Sequence, residues 1–236
     1  MDSMKSNGNM DKVKKHFDEE AEQYDGIIKN LIPYYGQMVE AAVNTISRER
    51  EAEIEVMDLG CGTGTMAKAV LDSYPKAKIA CVDISENMLR LAAYRLHDAI
   101  NPEFINSDFY DLNFTRTYDV IISSLALHHI VTTEDKVLFY KKIFGALNNG
   151  GVFVNADVVL ASTDAIQERF MEKWKEFMRS NVPETEVLNK WIPTYYDEDR
   201  PISLLEHIDI LREIGFNSID VIWKYYNFAV YTARKG

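Results

Sequence analysis

The chain has 236 residues, 47% of them hydrophobic, a formal net charge of -11 and two cysteines. That length suffices for one domain with a sizeable core, whereas two cysteines build no disulfide framework and point to a reducing compartment. The acidic balance tells against a nucleic-acid substrate, which normally calls for a basic face. No apolar run reaches the length of a membrane span and no signal-peptide core opens the chain, so a cytoplasmic location is expected.

Residues 1–10 are polar and expected to be disordered. From there, Val13, Phe17, Ala21 and Tyr24 fall at helical spacing, and a second helix runs through Met38, Val39, Ala42 and Val43 after the break at Ile32-Pro33-Tyr34-Tyr35. Val56 to Leu59 reads as a buried strand entering a turn with Gly60, Gly62 and Gly64 at alternate positions, then a helix through Met66, Ala67 and Val70. Glycines there let backbone amides approach a ligand at a helix N-terminus. A dinucleotide fingerprint would need a third glycine where Thr65 stands, and Asp58 suits a ligand carrying an ammonium group better than a pyrophosphate. Lys78 to Val82 is a second strand ending in Asp83, an acid placed to accept hydrogen bonds from a ribose diol. Ser85 caps the helix that follows, through Met88, Leu89 and Ala92.

Glu103 to Asn106 is a third strand, leading to Ser107-Asp108-Phe109, and Tyr118 to Ser124 a fourth, leading to His128 and His129. Asn148-Asn149-Gly150-Gly151 turns into a fifth strand that ends near Asp157. Beyond it, Ile166, Phe170, Trp174, Phe177 and Met178 mark an amphipathic helix, whose aromatic stripe suits a core contact, a homodimer contact or a substrate wall. Trp191 to Tyr196 reads as a loop of aromatics. Ser203 to Glu213 reads as a helix stopped by Gly215, and Ile219 to Trp223 and Asn227 to Tyr231 as two closing strands.

Asp58-Leu59-Gly60-Cys61-Gly62-Thr63-Gly64 closely resembles motif I of the class I S-adenosylmethionine (SAM) dependent methyltransferases, and the later signals follow in that family's order. The resemblance implies an α/β, Rossmann-like fold: a seven-stranded, mostly parallel sheet with helices on both faces, an N-terminal helical cap and a helical insertion after strand five. It divides a single domain, 11–236, into a cap (11–50), a SAM-binding core (51–160), the insertion (161–200) and a closing helix and hairpin (201–236). It implies SAM as cofactor and S-adenosylhomocysteine as product, with Asp108 on the adenine amino group and Phe109 on the ring. The implied cofactor set is Tyr24, Tyr35, Asp58, Gly60, Cys61, Gly62, Gly64, Asp83, Ile84, Met88, Asp108, Phe109 and Ser124. If the acceptor must lose a proton, His129, His128 and Asp157 at the same sheet edge are the candidate bases, and no metal ligand set is expected. The expected reaction is methyl transfer to a small molecule.

Three other readings compete. A NAD-dependent oxidoreductase fits Asp83 but not Asp58 or Thr65, and a SAM-binding module without catalysis fits the cofactor motifs. The third is narrower: Phe17-Asp18, Tyr24-Asp25, Ile32-Pro33-Tyr34-Tyr35 and Leu211 to Phe228 resemble the carboxy-SAM synthases of tRNA wobble-uridine modification. Those synthases hold their product's extra carboxylate with an arginine at a position where this chain has Ile210. Arg212 lies two residues on, and at about 100° per residue it faces away.

Overall fold

The computed structural model describes residue 4 and residues 8–236. Seven strands form one sheet: β1 (Glu55–Leu59), β2 (Lys78–Asp83), β3 (Glu103–Asn106), β4 (Tyr118–Ser124), β5 (Leu147–Val158), β6 (Asn217–Tyr225) and β7 (Phe228–Arg234). Their order is β3-β2-β1-β4-β5-β7-β6, with β7 the antiparallel strand between β5 and β6. The direction of winding reverses between β1 and β4, and a doubly wound sheet opens a crevice at that point, outside the carboxyl ends of its strands. Side chains alternate faces along a strand, so Val56 joins one core and Met57 and Leu59 the other.

Helices α3 (Tyr35–Asn44), α4 (Thr65–Ser73) and α5 (Glu86–Arg95) cover the first face, and α6 (Thr133–Ala146) and α10 (Leu204–Ile214) the second. The helix ends obey local rules. The Ser85 hydroxyl accepts from the Met88 amide at α5, and Ser203 and Glu206 form a reciprocal capping box at α10, which Gly215 ends in a left-handed conformation.

Three sequence expectations need correction. Gly8, Asn9 and Met10, placed in a disordered terminus, open helix α1 (Gly8–Glu20); Met10 is buried because it extends the apolar face of Val13 and Phe17 by one turn. The rest of that stretch, apart from residue 4, lies outside the described residues. The stripe from Val13 to Tyr24 is not one helix: a tight turn at Ala21–Gln23 separates α1 from α2 (Tyr24–Leu31). Trp191 to Tyr196 is not a loop either. After α7 (Asp164–Arg179) and the single turn α8 (Glu184–Glu186), a π-turn over Val187–Trp191 continues into α9 (Ile192–Glu198). Pro193 is the second residue of α9, directly after the π-turn, where the helical ladder is already irregular, and Trp191 and Tyr195, four apart, bury one face. Of the stripe on α7, Trp174 and Met178 are buried, Phe170 and Phe177 half-buried and Ile166 exposed; Trp174 donates to the Leu31 carbonyl at 2.7 Å and packs on Tyr195 and Phe228.

Candidate active site

The turn from β1 to α4 is built on glycines with φ of 68° at Gly60, 53° at Gly62 and 82° at Gly64, where other residues are strained. Gly60 also lacks space, since a Cβ there would lie 2.3 Å from the Ala126 Cβ. At Gly62 a Cβ would meet only Tyr24, at 3.9 Å, so this side of the turn faces open volume. The Gly60 and Cys61 amides tie the turn to Val82, and the Gly62 amide donates to Asp83 Oδ2 at 2.8 Å.

Two buried carboxylates flank this turn. Asp58 accepts from the Ala67 amide in the first turn of α4 with Oδ2, and its Oδ1 has no partner among the described residues. Burial pushes its pKa up to about 7. Asp83, at the end of β2, accepts from Gly62 and Ser85, and burial raises it to about 6 despite those amides. Asp108 spends Oδ1 on the Tyr110 and Asp111 amides. A cavity of about 490 Å³ lies among Gly60, Asp83, Ile84, Met88, Asp108 and Phe109, with Ser124 and His129 on its far wall. Met10, Val13 and Phe17 of α1 roof it. A smaller volume of about 280 Å³ continues past Tyr24 and Tyr35 to Cys61, Thr65 and Ser124.

Polar latches hold this roof down. Ser85, besides capping α5, donates to Asp18 at 2.6 Å; Thr63 donates to Asp25 at 2.6 Å, and Arg95 pairs with the same Asp25.

A second cavity, about 750 Å³, lies beneath α1, α2, α7 and α9. Its walls are largely apolar, including Ile28, Leu31, Trp174, Trp191, Tyr195 and Phe228, and no lysine or arginine lines it. Phe17, Tyr24, Leu125 and His129 line both cavities. The two histidines after β4 differ sharply. His128 is clasped on both nitrogens, Nδ1 by Asp157 at 2.5 Å and Nε2 near Asp199 at 3.3 Å. Burial works against its charge, but the Asp199 and Asp157 carboxylates outweigh it and lift the pKa to about 10. His129 forms no hydrogen bond through either ring nitrogen among the described residues; its Nδ1 lies 3.5 Å from Asp199. Burial, then the adjacent His128 charge, push it down to about 3, so the ring is neutral.

Comparison with known proteins accords with this geometry. Residues 56–151, from β1 into the turn that opens β5, match the family described as a methyltransferase domain. That segment is a methyltransferase domain. The whole chain is 24% identical over 229 residues to a carboxy-S-adenosyl-L-methionine synthase of Campylobacter hominis, covering 94% of this chain and 96% of that one. It is 25% identical over 224 residues to the synthase of Nautilia profundicola, covering 93% and 94%. Among solved structures, one titled "DhpI-SAM-HEP complex" superposes with a TM-score of 0.68 at 20% identity, covering 98% of this chain and 99% of that one. Human N-acetylserotonin methyltransferase in complex with SAM gives 0.55 at 17%, covering 84% and 51%. No helix among the described residues is long and apolar enough to cross a membrane.

Of the residues singled out from sequence, the structure gathers Tyr24, Gly60, Gly62, Asp83, Ile84, Met88, Asp108, Phe109, Ser124 and His129 around the first cavity, and Tyr35 and Cys61 around its extension. Asp58 is buried beside the turn, and Gly64 packs on Ala92 of α5 without lining a cavity. Asp157 lines neither cavity; it stands behind His128 as a partner and, at 1% exposure, is no candidate base. His128 faces the second cavity but is already charged, so it is no base either. Met10 and Asp199 were missed. Asp199 follows the acidic pair Asp197-Glu198 at the end of the insertion, where a run of acids reads as solvated surface.

Proposed function

We propose that the first cavity and its extension hold SAM and that the second holds a small, largely apolar methyl acceptor. The carrying observation is the shared wall: His129, Phe17, Tyr24 and Leu125 border both volumes, so the two ligands meet there. SAM supplies a methyl group activated by its sulfonium; the protein's part is to align the acceptor and exclude water, and orientation of this kind is worth roughly 7–11 kcal/mol. Asp83 is assigned to the ribose diol, Asp108 to the adenine amino group, and Ile84, Met88 and Phe109 to the adenine faces. Asp58, whose Oδ1 is buried without a partner, is assigned with Tyr35 and Ser124 to the methionine end. The largely apolar, lysine- and arginine-free second cavity favours a small molecule over nucleic acid. Calorimetry on Asp83→Ala should show SAM binding weakened about tenfold or more, the order expected for charge-assisted hydrogen bonds. Unchanged affinity would remove the ribose assignment and, with it, the placement of SAM.

A second reading, carboxy-SAM synthesis, is favoured by the names of relatives that cover more than nine-tenths of the chain. The local structure points the other way. Ile210 packs in the core beside Leu211, and Arg212 is exposed and bonded to Asp209 at 2.8 Å. No arginine or lysine lines either cavity to pair with a second carboxylate, and an unpaired buried charge is costly. Incubation with SAM and prephenate should therefore return SAM unchanged by mass spectrometry; a carboxylated product would shift the assignment to the synthase.

A further inference from the structure

We propose that Asp199 orients His129 as the general base for a neutral hydroxyl acceptor, so that this methyltransferase makes methyl ethers. The inference rests on the two-cavity reading above and adds the base, its orienting group and the acceptor's chemical class.

The geometry separates the two histidines. Each ring nitrogen of His128 faces a carboxylate, Asp157 on one side and Asp199 on the other, so both carry protons and the ring has no lone pair to offer. His129 is neutral, and its Nδ1 lies 3.5 Å from the same Asp199 oxygen. A carboxylate beside Nδ1 selects the tautomer with hydrogen on that nitrogen and leaves the lone pair on Nε2. Catalytic hydrogen bonds often tighten only once the reactants are bound, so this separation suits an orienting contact. Among the other titratable groups of the cavity, His16 lies between Glu20 at 3.1 Å and Glu198 at 2.8 Å, Glu20 also holds Lys190, and burial raises Tyr24 and Tyr195, which keeps both phenols protonated.

The charges close on this assignment. At rest the cluster contains one imidazolium, His128, and two carboxylates, Asp157 and Asp199, a net charge of -1. In the reaction the hydroxyl oxygen bonds to the methyl carbon, the carbon–sulfur bond breaks with its electron pair left on sulfur, and the hydroxyl proton passes to His129 Nε2. Positive charge thus leaves the sulfonium as it arrives on His129, where Asp199 faces it. Burial keeps the resting ring neutral, and loss of the sulfonium charge offsets that penalty at the moment of transfer.

A base of this kind selects among acceptors. A neutral amine attacks through its own lone pair and sheds a proton afterwards. A carboxylate or phosphonate is already anionic and needs no base, and the cations of the cavity, His16 and His128, are each already held between two carboxylates. A neutral hydroxyl is the class that requires a base. Asp199 also reaches the site only through the insertion, because α9 is tied to α1 by Lys12–Asp197 and His16–Glu198. The orienting carboxylate is therefore in place only when the helices over the acceptor are seated.

Two measurements test the proposal. Nitrogen NMR of histidine-labelled protein with S-adenosylhomocysteine should show His129 neutral with its proton on Nδ1, and Asp199→Asn should lose that preference. A proton on Nε2, or a tautomer unchanged in the variant, overturns it. The second is S-adenosylhomocysteine release with naphthol, naphthylamine and para-nitrophenol as probes. Naphthol should be methylated over naphthylamine, and at saturating SAM, below their melting temperatures, Asp199→Asn and His129→Gln should each lower kcat about a hundredfold. Para-nitrophenol, far more acidic than naphthol, should be rescued in both variants at a pH where it is ionised. Equal losses with both phenols would mean a packing role. Preference for naphthylamine would refute the hydroxyl class, and activity removed by a chelator and restored by zinc would make His128, His129 and Asp199 a metal site instead. If no probe is methylated while the tautomer is as stated, the acceptor class falls and the Asp199–His129 pairing stands.

Discussion

Asp58→Asn should weaken SAM binding about a hundredfold at pH 8 and abolish most of its pH dependence. In the wild-type protein the Asp58 carboxyl is lifted to about 7 by burial, with one oxygen unpartnered. An ammonium group brought to that oxygen favours the ionised form, so binding expels the proton wherever the free protein still holds it. Affinity should fall by up to about tenfold per unit as the pH drops below 7, and calorimetry in buffers of different ionisation enthalpy should register the released proton. The sign for stability is opposite. The folded pKa lies above that of an unfolded carboxyl, so the unliganded protein loses stability as the pH rises from about 4 to about 7. The thermal shift produced by SAM should accordingly grow over the same window. A flat pH dependence of affinity between 5.5 and 8, which are about one to two units either side of that titration, would detach Asp58 from the ammonium group.

Gly60→Ala should be among the most damaging single-methyl additions in this chain. The left-handed backbone at φ 68° costs a non-glycine residue about 1–2 kcal/mol. The new Cβ would also stand 2.3 Å from the Ala126 Cβ, and relieving such an overlap by moving backbone costs a further 1–3 kcal/mol, typically. For a protein of this size the sum, about 2–5 kcal/mol, lowers the melting temperature by roughly 5–15 °C. Ala126 lines the cavity proposed to hold SAM, so the displacement should also remove measurable SAM binding. Gly62→Ala is the internal comparison: it carries the backbone strain without the overlap and should lose less stability. Equal melting temperatures for the two variants would show that Ala126 yields freely.

The parts of this site legible in sequence are those governed by short-range rules. A strand, three alternating glycines and a helix announce the cofactor turn; Asp83 and Ser85 stand at a strand end and a cap, and Gly215 ends its helix. What separates His129 from His128 is set by tertiary contacts: Asp157 holds His128, and Asp199, delivered by a helix remote in sequence, stands between the two rings. That helix was itself obscured: aromatics followed by acids read as a loop, although Trp191 and Tyr195 are spaced to bury one face. Met10 was lost for the opposite reason, a single apolar contact within a polar stretch.

The acceptor cavity owes little to the sheet, which contributes Val158 and Phe228, whereas α1, α2, α7 and α9 supply most of its wall. The cofactor side is anchored in the strand ends and the turns that follow them. The two cavities meet at Phe17, Tyr24, Leu125 and His129, so the proposed choice of acceptor and the proposed hold on the cofactor are coupled along that wall alone. Away from it, Trp174, Trp191 and Tyr195 stand on helices between β5 and α10 that pair with no strand, and there specificity can drift as long as Asp199 keeps its place.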